Sequence, residues 1–305
     1  MANMIPMTKE VASANAQLDA EHLAELARQA LVAEAELTPK PGLVDRRGSG
    51  AHSDLSLDIM RRSASAIAPY FAAMAAVSCI APIDRSLRAE VAAIGREAEA
   101  AMLRETGGSN AHKGAIWVLG LLATATAQSD SLRPGAIAKD ASLLAQFPDS
   151  ARPQLVSHGD LVRSRYGAMG AKGEAYAGFP HVVKVGLPAL RAARECRLSE
   201  TNSRLSSLLA IMASLEDTCV LYRGGDKGLQ TVKQGAREVL ASGGPGCDAG
   251  NEMLRRFDRA LFAKSISPGG SADLLAATLF LDAIERRLYD VERDNSLLEE
   301  LYGTD

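Results

Sequence analysis

Three glycine-rich segments of this sequence stand directly before apolar stretches and carry side chains that could bind phosphate. They are TGGSNAHKG at 106–114, RGGDKG at 223–228 and SPGGSAD at 267–273. Glycine lets backbone N–H groups turn toward a ligand, and a helix N-terminus supplies unpaired donors and a positive dipole. Lys113 and Arg223 could add positive charge at phosphate oxygens. The same pattern is also typical of simple junctions, in which glycine ends one helix and Ser or Asn caps the next.

A fourth segment, TPKPGLVDRRGSGAHSD from Thr38 to Asp54, joins two stretches that have the pattern of apolar helices. Loops of this length inside compact domains are usually functional or disordered. We interpret this loop as one wall of an active site, with His52 and Asp54 as candidates for acid–base chemistry. Asp54 could instead cap the following helix, with Ser56 as a rival for that role, and His52 could be a loop residue without a chemical role.

Three carboxylates are candidates for binding a divalent cation, which prefers oxygen ligands. Asp217 lies in SLEDTCV, where it and Glu216 interrupt a mostly apolar helix, and Asp273 lies in the first turn of a predicted helix. Glu174 stands inside a glycine-rich stretch, where no helix explains its position. Asp217 could alternatively lie on a solvated face or pair with Arg223, and Asp273 could simply complement the helix dipole.

Composition excludes several classes of protein. With 34 Lys and Arg against 37 Asp and Glu, the net charge of −3 provides no general attraction to nucleic acid or to an acidic membrane. The first residues lack a signal-peptide pattern, and no apolar run reaches the ~18–20 residues of a membrane span, so we expect a cytoplasmic protein. Four cysteines without CxxC spacing predict free, buried thiols rather than a disulfide or a zinc site.

Apolar residues recur at helical spacing along most of the chain, and no segment alternates convincingly as a half-buried strand does. The pattern predicts a single all-α domain of about ten helices with glycine-rich active-site loops, covering 19–305 after a flexible tail at 1–18. Pro69 is expected to kink or divide its helix. The predicted helices are 20–37, 55–80, 84–105, 111–127, 133–147, 154–165, 181–196 (broken), 202–222, 227–241, 248–262 and 272–289, while 166–180 is predicted to be at least partly loop.

Six motifs, in order along most of the chain, resemble the triphosphoribosyl-dephospho-coenzyme A synthases, which serve citrate lyase and malonate decarboxylase. The resemblance extends over roughly residues 25 to 285. Six motifs in one order are far more specific than any one of them, and RRGSGAH favours the malonate decarboxylase type. The motifs are KPGLVD at 40–45, GAHSD at 50–54, GGSNAHKG at 107–114, GEA at 173–175 with GFP at 178–180, DT at 217–218 with RGG at 223–225, and SPGGSADL at 267–274.

The resemblance implies that ATP reacts with 3′-dephospho-CoA to give 2′-(5″-triphosphoribosyl)-3′-dephospho-CoA and adenine. The product is the precursor of an acyl carrier prosthetic group and would pass to a holo-acyl-carrier-protein synthase. Such a reaction needs a bound triphosphate with Mg²⁺, a base for the acceptor hydroxyl, a carboxylate beside an oxocarbenium-like carbon and a proton donor for adenine. The α linkage of the product, formed from a β nucleotide, fits one inverting displacement.

Residue chemistry at the matching positions suggests a role for each side chain. His52 or Asp54 is the general base, and Asn110 and His112 orient a ribose or the adenine. Mg²⁺ is the expected cofactor, and the phosphates are assigned to the cations in the loops. The predicted metal ligands are Glu174, Asp217 and Asp273. The predicted substrate and phosphate set is Lys40, Gly42, Asp45, Gly107, Gly108, Lys113, Arg223, Gly269, Gly270 and Ser271.

Two other functions stay open on the sequence alone. An all-helical, Mg²⁺-dependent hydrolase of a nucleotide or of ADP-ribose would use the same carboxylates to activate water, and would release adenine from ATP without an acceptor. A helical scaffold is the alternative without catalysis, but it gives no reason for loops with glycine and cations to converge. A homo-oligomer is also left open, and neither nucleic acid nor a membrane is expected as a partner.

Overall fold

The computed structural model describes residues 18–79, 81–149, 151 and 157–302, with side chains up to Tyr289. Within these ranges the chain forms twelve α-helices and no strand, apart from one isolated backbone bridge between Asp45 and Gly48. The predicted all-α class is therefore confirmed. The helices are α1 (Ala20–Glu36), α2 (Leu57–Ser78), α3 (Arg85–Glu105), α4 (Lys113–Gln128), α5 (Pro134–Gln146), α6 (His158–Tyr166), α7 (Gly170–Tyr176), α8 (Leu187–Glu195), α9 (Glu200–Ser214), α10 (Thr218–Ala241), α11 (Asp248–Ala263) and α12 (Gly269–Tyr302), with a π-helical turn (His181–Gly186) before α8.

Short polar side chains begin the first three helices. Asp19, Ser56 and Asp84 each accept a backbone N–H bond from the first turn of α1, α2 and α3. This is the local chemistry that makes Ser and Asp good N-caps. Ser56 rather than Asp54 caps α2, and α2 continues through Pro69 without being divided.

The predicted helix at 202–222 is wrong in one respect, because it is two helices. Residues 215 and 217 have extended ψ values of 138° and 110°, so α9 ends before them and α10 begins after them. The Asp217 side chain accepts hydrogen bonds from the N–H groups of Cys219 and Val220. Capping by an aspartate thus interrupts a sequence whose apolar spacing alone would continue the helix. Asp217 consequently lies at a helix start and not on the face of a helix.

The structure bends at one glycine-rich stretch and forms a short helix within another. The predicted break at RGGD is confirmed as a kink: α10 consists of two helical segments that meet at Gly225, where the backbone is not helical (φ 58°, ψ −161°). Glycine adopts that left-handed φ without the steric cost that a Cβ brings. The stretch 166–180 contains the short helix α7, on which Glu174 lies.

The ends of the chain bear on two further predictions. Residues 1–17 of the predicted tail, like the predicted helix start at 154, lie outside the described residues. Leu18 is described, and it is buried in the main apolar core. The last helix begins three residues earlier than predicted and extends to Tyr302.

The core is organised around α4, which is buried along almost its whole length. Helices α1, α2, α3, α5, α7 and α12 all pack against it. A small residue permits one of these contacts: a Cβ at Gly120 would lie 2.6 Å from Sδ of Met74 on α2. Because α4 is enclosed in this way, its N-terminus is held at a defined place beside the first turn of α12.

Two sequence expectations about membranes and thiols can be compared with the described residues. None of their helices alone is long and apolar enough to span a membrane, although α9 and α10 taken together, with a 61° bend between them, satisfy the criteria of length and composition. The four cysteines form no disulfide, as predicted. The expected burial is wrong for Cys79, Cys196 and Cys247, which are exposed, whereas the thiol of Cys219 is turned toward Gly269 on α12 and burial raises its pKa. Cys79 and Cys196 follow the last residues of α2 and α8, and Cys247 precedes α11. These three cysteines therefore lie at helix ends and not on the buried face of a helix.

Candidate active site

The first turns of α10 and α12 meet on the carboxylate of Asp217. Its Oδ1 accepts the backbone N–H groups of Cys219 at 2.9 Å, Val220 at 3.4 Å and Gly270 at 3.3 Å. Its Oδ2 accepts the backbone N–H of Ser271 at 2.8 Å and the hydroxyl of the same residue at 2.9 Å. Burial raises the pKa of Asp217, while these hydrogen bonds act in the opposite direction. One carboxylate therefore caps two helices, and the N–H groups predicted for phosphate are taken by it.

Asp273, one turn into α12, faces the first turn of α4. A Cβ added at Gly114 would lie 2.9 Å from Cγ of Asp273 and would overlap its Oδ2. Burial, followed by the charges of Glu34 and Asp217, raises the pKa of Asp273 well above its usual value, and the backbone N–H of Ala115 acts against them. A carboxylate crowded by like charges favours a proton or a bound cation. We call Asp217, Asp273 and the first turns of α4, α10 and α12 the helix-start cluster.

A second group of side chains surrounds His52. The Nε2 atom of His52 lies 2.8 Å from Oγ of Ser267, and its Nδ1 lies 3.4 Å from Nη2 of Arg223. Asp54 places Oδ1 3.6 Å from the same Nδ1. A guanidinium can only donate, so Nδ1 is the acceptor and Nε2–H donates to Ser267. We call His52, Asp54, Arg223 and Ser267 the His52 cluster.

The electrostatics of the His52 cluster favour the neutral imidazole. Burial, and then the charge of Arg223, lower the pKa of His52, and Asp54 opposes them. A neutral imidazole whose Nδ1 lone pair is directed toward a charged, partly exposed region can accept a proton from a substrate. Asp54 is the more exposed of the two predicted bases, with 54% of its side chain accessible.

The two clusters are joined through the segment that leads into α12. A Cβ at Gly42 would lie 2.5 Å from the carbonyl oxygen of Ile266, so the long loop after α1 packs directly on that segment. A Cβ at Gly269 would lie 3.2 Å from Sγ of Cys219, which explains the close approach of α12 to α10. Gly42 also has a φ of 70°, which favours glycine. Both glycines thus serve close backbone packing, which brings the loop after α1 and the start of α10 against the segment that leads into α12.

Lys40 and His112 lie below the surface, away from any exposed phosphate position. Lys40 is 1% exposed, and its Nζ lies 2.5 Å from Oε1 and 2.6 Å from the carbonyl oxygen of Glu34. His112 is 2% exposed, with Nδ1 2.8 Å from Oγ of Ser63. Burial, and then the charge of Lys40, lower the pKa of His112 to about 3. The lysine is used in a buried ion pair, and the histidine, predicted to orient a ribose or the adenine, is buried and bonds Ser63 instead.

Asp45 holds the long loop in its folded shape. It is buried, and its Oδ2 accepts the backbone N–H of Lys40 and the side chain of Arg47, each at 2.9 Å. Arg47 also bonds Asp258 on α11 at 2.7 Å, and Asp258 accepts the backbone N–H of Gly42 at 2.9 Å. These bonds anchor the loop that carries His52, which is a positioning role for Asp45.

The segment before α4 keeps its predicted polar groups near the surface. Asn110 accepts the backbone N–H of Lys113 at 3.1 Å, so its amide caps the helix. Lys113 has 49% of its side chain exposed and forms an ion pair with Glu99 on α3. Gly107 and Gly108 are exposed, with φ values of 64° and 97°. Of the cations predicted for phosphate, Lys113 and Arg223 are therefore the accessible ones.

The three predicted metal ligands do not form one group. Glu174 accepts the backbone N–H of His181 at 3.2 Å and also bonds the imidazole of that residue. Asp217 is occupied by helix N–H groups, which leaves Asp273 as the carboxylate with unmet charge. In the described ranges, no set of three or more His, Cys, Asp and Glu side chains could hold a metal ion. The donors fit a Mg²⁺ that is bound mainly by substrate phosphates and by one carboxylate.

Sequence reasoning missed Glu34 and Ser267. Glu34 lies on the buried face of α1 and is 3% exposed. Glu34 follows Leu31 by three positions, which places it on the same apolar face of the helix. A glutamate on such a face needs a buried partner, and this spacing was the signal that could have identified it. Ser267 carried no such signal, because serine before proline is common in turns.

Comparison with known proteins identifies the family. The model of a family described as CitG, ATP:dephospho-CoA triphosphoribosyl transferase, matches residues 20–291. A relative from Azotobacter vinelandii is 53% identical over 272 residues, which are 88% of this chain and 93% of the relative. A relative from Stutzerimonas stutzeri is 52% identical to this chain over 267 residues, which are 87% of this chain and 92% of the relative. A relative from Pseudomonas putida is 51% identical over 264 residues, which are 86% of this chain and 94% of the relative. All three bear the name probable 2-(5''-triphosphoribosyl)-3'-dephosphocoenzyme-A synthase, and no solved structure matches. The chain belongs to the ATP:dephospho-CoA triphosphoribosyl transferase family.

Proposed function

We propose that this chain transfers the 5-triphosphoribosyl group of ATP to the 2′-hydroxyl of 3′-dephospho-CoA, with release of adenine, between the His52 cluster and the helix-start cluster. Family membership supports the reaction. The observation that supports the location is the neutral His52, whose Nδ1 faces Arg223 and Asp54. A base beside an accessible cation matches a reaction that deprotonates a hydroxyl next to a polyphosphate.

His52 is the base in this proposal. Its Nδ1 takes the proton from the acceptor 2′-hydroxyl while the oxygen bonds to C1′ of the ATP ribose. The bond from C1′ to N9 of adenine breaks, and adenine leaves with that electron pair and takes a proton from water. His52 then releases to water the proton that it accepted. The Nε2–H bond to Ser267 holds the ring orientation and fixes the tautomer, which makes Ser267 a positioning residue.

Arg223 and Asp54 have complementary roles. Arg223 binds triphosphate oxygens, because it is exposed and pairs with no carboxylate in the described part of the chain. Asp54, 3.6 Å from the same imidazole nitrogen, stabilises the positive charge that develops at C1′. Lys113, also exposed, is available to the end of the triphosphate if its pair with Glu99 opens.

Mg²⁺ would be held by Asp273 together with the phosphates of ATP. When bound, it would neutralise phosphate charge and hold the triphosphate in one conformation. A cation near Asp273 would offset the cost of burying its charge beside Glu34 and Asp217. Asp217 and Glu174, which the sequence suggested as ligands, support the fold in this proposal.

Several finer predictions are supported only by the sequence. They are the malonate decarboxylase pathway, transfer of the product to a holo-acyl-carrier-protein synthase, self-association and a cytoplasmic location. Motif RRGSGAH favours the first of them. The second follows from the product's character as a prosthetic-group precursor.

The reaction is tested by mass analysis after incubation with ATP, Mg²⁺ and 3′-dephospho-CoA. The proposal predicts adenine and the triphosphoribosyl adduct in equal amounts, and no adenine when the acceptor is left out. Adenine release from ATP alone would instead establish the hydrolase. His52→Gln should lower kcat by at least about a hundredfold, as expected for loss of a general base. The matched control is His22→Gln, which changes an exposed histidine at the start of α1.

The metal assignment is tested by two conservative changes. Asp273→Asn should raise the Mg²⁺ concentration needed for half-maximal adenine release, because it removes the charge that binds the ion. Asp217→Asn should mainly lower the melting temperature, since an amide nitrogen cannot accept the N–H bonds of α12. If Asp217→Asn changed the Mg²⁺ requirement and Asp273→Asn did not, the two assignments would have to be exchanged.

A further inference from the structure

Arg88, in the first turn of α3, is a buried cation without an acceptor. It is 5% exposed, and its Nε has no hydrogen-bond partner. No ion pair or hydrogen bond joins its guanidinium to any residue in the described ranges. Among the described residues, Trp117 on α4 places its ring beside Arg88, with the guanidinium carbon 5.0 Å from the ring centroid. Burying an arginine without an anion is strongly unfavourable, so a cation in this state is expected to have an external partner.

The surroundings of Arg88 carry an excess of positive charge. Arg96, about two helical turns further along α3, pairs with Asp149 at 2.8 Å. Asp149, and after it Tyr176, are near enough to Arg88 to influence it electrostatically, although neither forms a hydrogen bond with it. Lys172 on α7 lies with Nζ 5.4 Å from the ring centroid of Tyr176. Asp149 is thus the one carboxylate among these side chains, and it already has Arg96. An anion would complete the charge balance here.

Helix α7 connects this place with the helix-start cluster. The indole N–H of Trp117 donates to the carbonyl oxygen of Ala171 at 3.2 Å. A Cβ at the neighbouring Gly170 would lie 2.7 Å from Cγ2 of Thr218, the first residue of α10. The start of α7 therefore contacts both Trp117 and the start of α10. Trp117 lies only one helical turn, about 6 Å, along α4 from Lys113. The ring beside Arg88 is therefore about one helical turn from the start of α4, which belongs to the helix-start cluster.

We propose that Arg88 binds the diphosphate of the acceptor 3′-dephospho-CoA, with Trp117 and Tyr176 beside it. This rests on the proposed function, because it needs two polyphosphate substrates in one site. The triphosphate of ATP is assigned to Arg223 and to the Mg²⁺ at Asp273, so the second diphosphate requires a separate cation. An arginine suits this role because its planar donors bind two phosphate oxygens at once. Trp117, Lys172 and Tyr176 are partly exposed and provide the approach.

The test compares Arg88→Met with Arg104→Met, an exposed arginine on the same helix. Calorimetry measures the dissociation constants of 3′-dephospho-CoA, ATP and inorganic pyrophosphate. In Arg88→Met the constant for 3′-dephospho-CoA should rise by at least about tenfold, and that for ATP should stay within about twofold. Arg88→Lys keeps the charge but loses the planar donors. Its dissociation constant for 3′-dephospho-CoA should therefore lie between those of the parent protein and of Arg88→Met. Arg104→Met should change neither constant.

Thermal unfolding separates binding from a structural role. Because Arg88→Met removes an unpaired buried charge, its melting temperature should be equal to or higher than that of the parent protein. A lower melting temperature with all ligands weakened alike would mean that Arg88 only supports the fold, and would overturn the proposal. Unchanged affinity for 3′-dephospho-CoA, or weakened affinity for ATP alone, would overturn it as well.

The same measurements distinguish this inference from the reaction itself. If the parent protein forms no adduct, but Arg88→Met abolishes pyrophosphate binding, the proposed function fails and the anion site remains. If the parent protein forms the adduct and Arg88→Met binds 3′-dephospho-CoA normally, the reaction stands and the inference about Arg88 is wrong.

Discussion

The contact between Asp273 and the start of α4 can be tested with a pair of glycines. Gly114 and Gly135 both occupy the second position of a helix, in α4 and α5. A Cβ at Gly135 would meet nothing within 4 Å, whereas a Cβ at Gly114 would overlap Oδ2 of Asp273 and lie 2.9 Å from its Cγ. Gly114→Ala and Gly135→Ala therefore make the same change in equivalent local structure and differ only in the neighbour that they meet.

The structure sets the expected magnitudes. At a compatible site, Gly→Ala stabilises by about 0.4–1 kcal/mol, mainly by restricting the unfolded chain. Inserting an extra methyl into packed surroundings costs about 1–3 kcal/mol. Gly135→Ala should thus gain about 0.7 kcal/mol, and Gly114→Ala should lose about 1 kcal/mol, a difference of about 2 kcal/mol between them. At about 2 °C per kcal/mol for a chain of this size, the melting temperatures should differ by about 4 °C.

Activity should separate the two variants more strongly than stability. A displacement of Asp273 by about 1 Å is enough to cost about a hundredfold in rate if it holds Mg²⁺ and triphosphate in place. Adenine release in the presence of 3′-dephospho-CoA measures this effect, and Gly135→Ala should retain the parent rate. If Gly114→Ala matches Gly135→Ala in both melting temperature and rate, the packing of Asp273 on α4 is not as described. In an Asp273→Ala background, Gly114→Ala should become stabilising, because the overlapping carboxylate is gone.

Two other predictions concern pH and the buried ion pair. The acidic limb of the pH profile of kcat/KM should follow protonation of His52. Arg223 lowers the pKa of His52, so Arg223→Gln should move this limb to higher pH. Asp54 raises the same pKa, so Asp54→Asn should move the limb to lower pH. A limb that stays in place in both variants would exclude His52 as the base. Lys40→Met should lower the free energy of unfolding in urea by about 3–5 kcal/mol, because the carboxylate of Glu34 stays buried without its partner. Changing Glu34 to Gln in the same protein should recover much of this loss. An exposed phosphate-binding lysine would instead affect KM for ATP and leave the unfolding free energy unchanged.

Much of the fold and part of the site could be predicted from the sequence. Helical periodicity, glycine turns and capping residues act over a few neighbours, so the all-α class and most helix positions were predictable. The exception at Asp217 is instructive, because a cap of two helices depends on Gly270 and Ser271, more than fifty residues away. The motif order likewise indicated the family, and the family model and the relatives confirm it.

The partners of the polar side chains were decided by the tertiary structure. The sequence could offer Lys40, Glu174 and Asp217 as ligands for phosphate or metal, since their chemistry allows it. Only the folded chain pairs Lys40 with Glu34 and Glu174 with His181, and surrounds Asp217 with helix N–H groups. A buried charge must find its partner within the protein, and that partner is set by which distant helices pack together. Local sequence thus determines which elements form and which chemistry is on offer, while long-range packing determines which groups are left to meet a substrate.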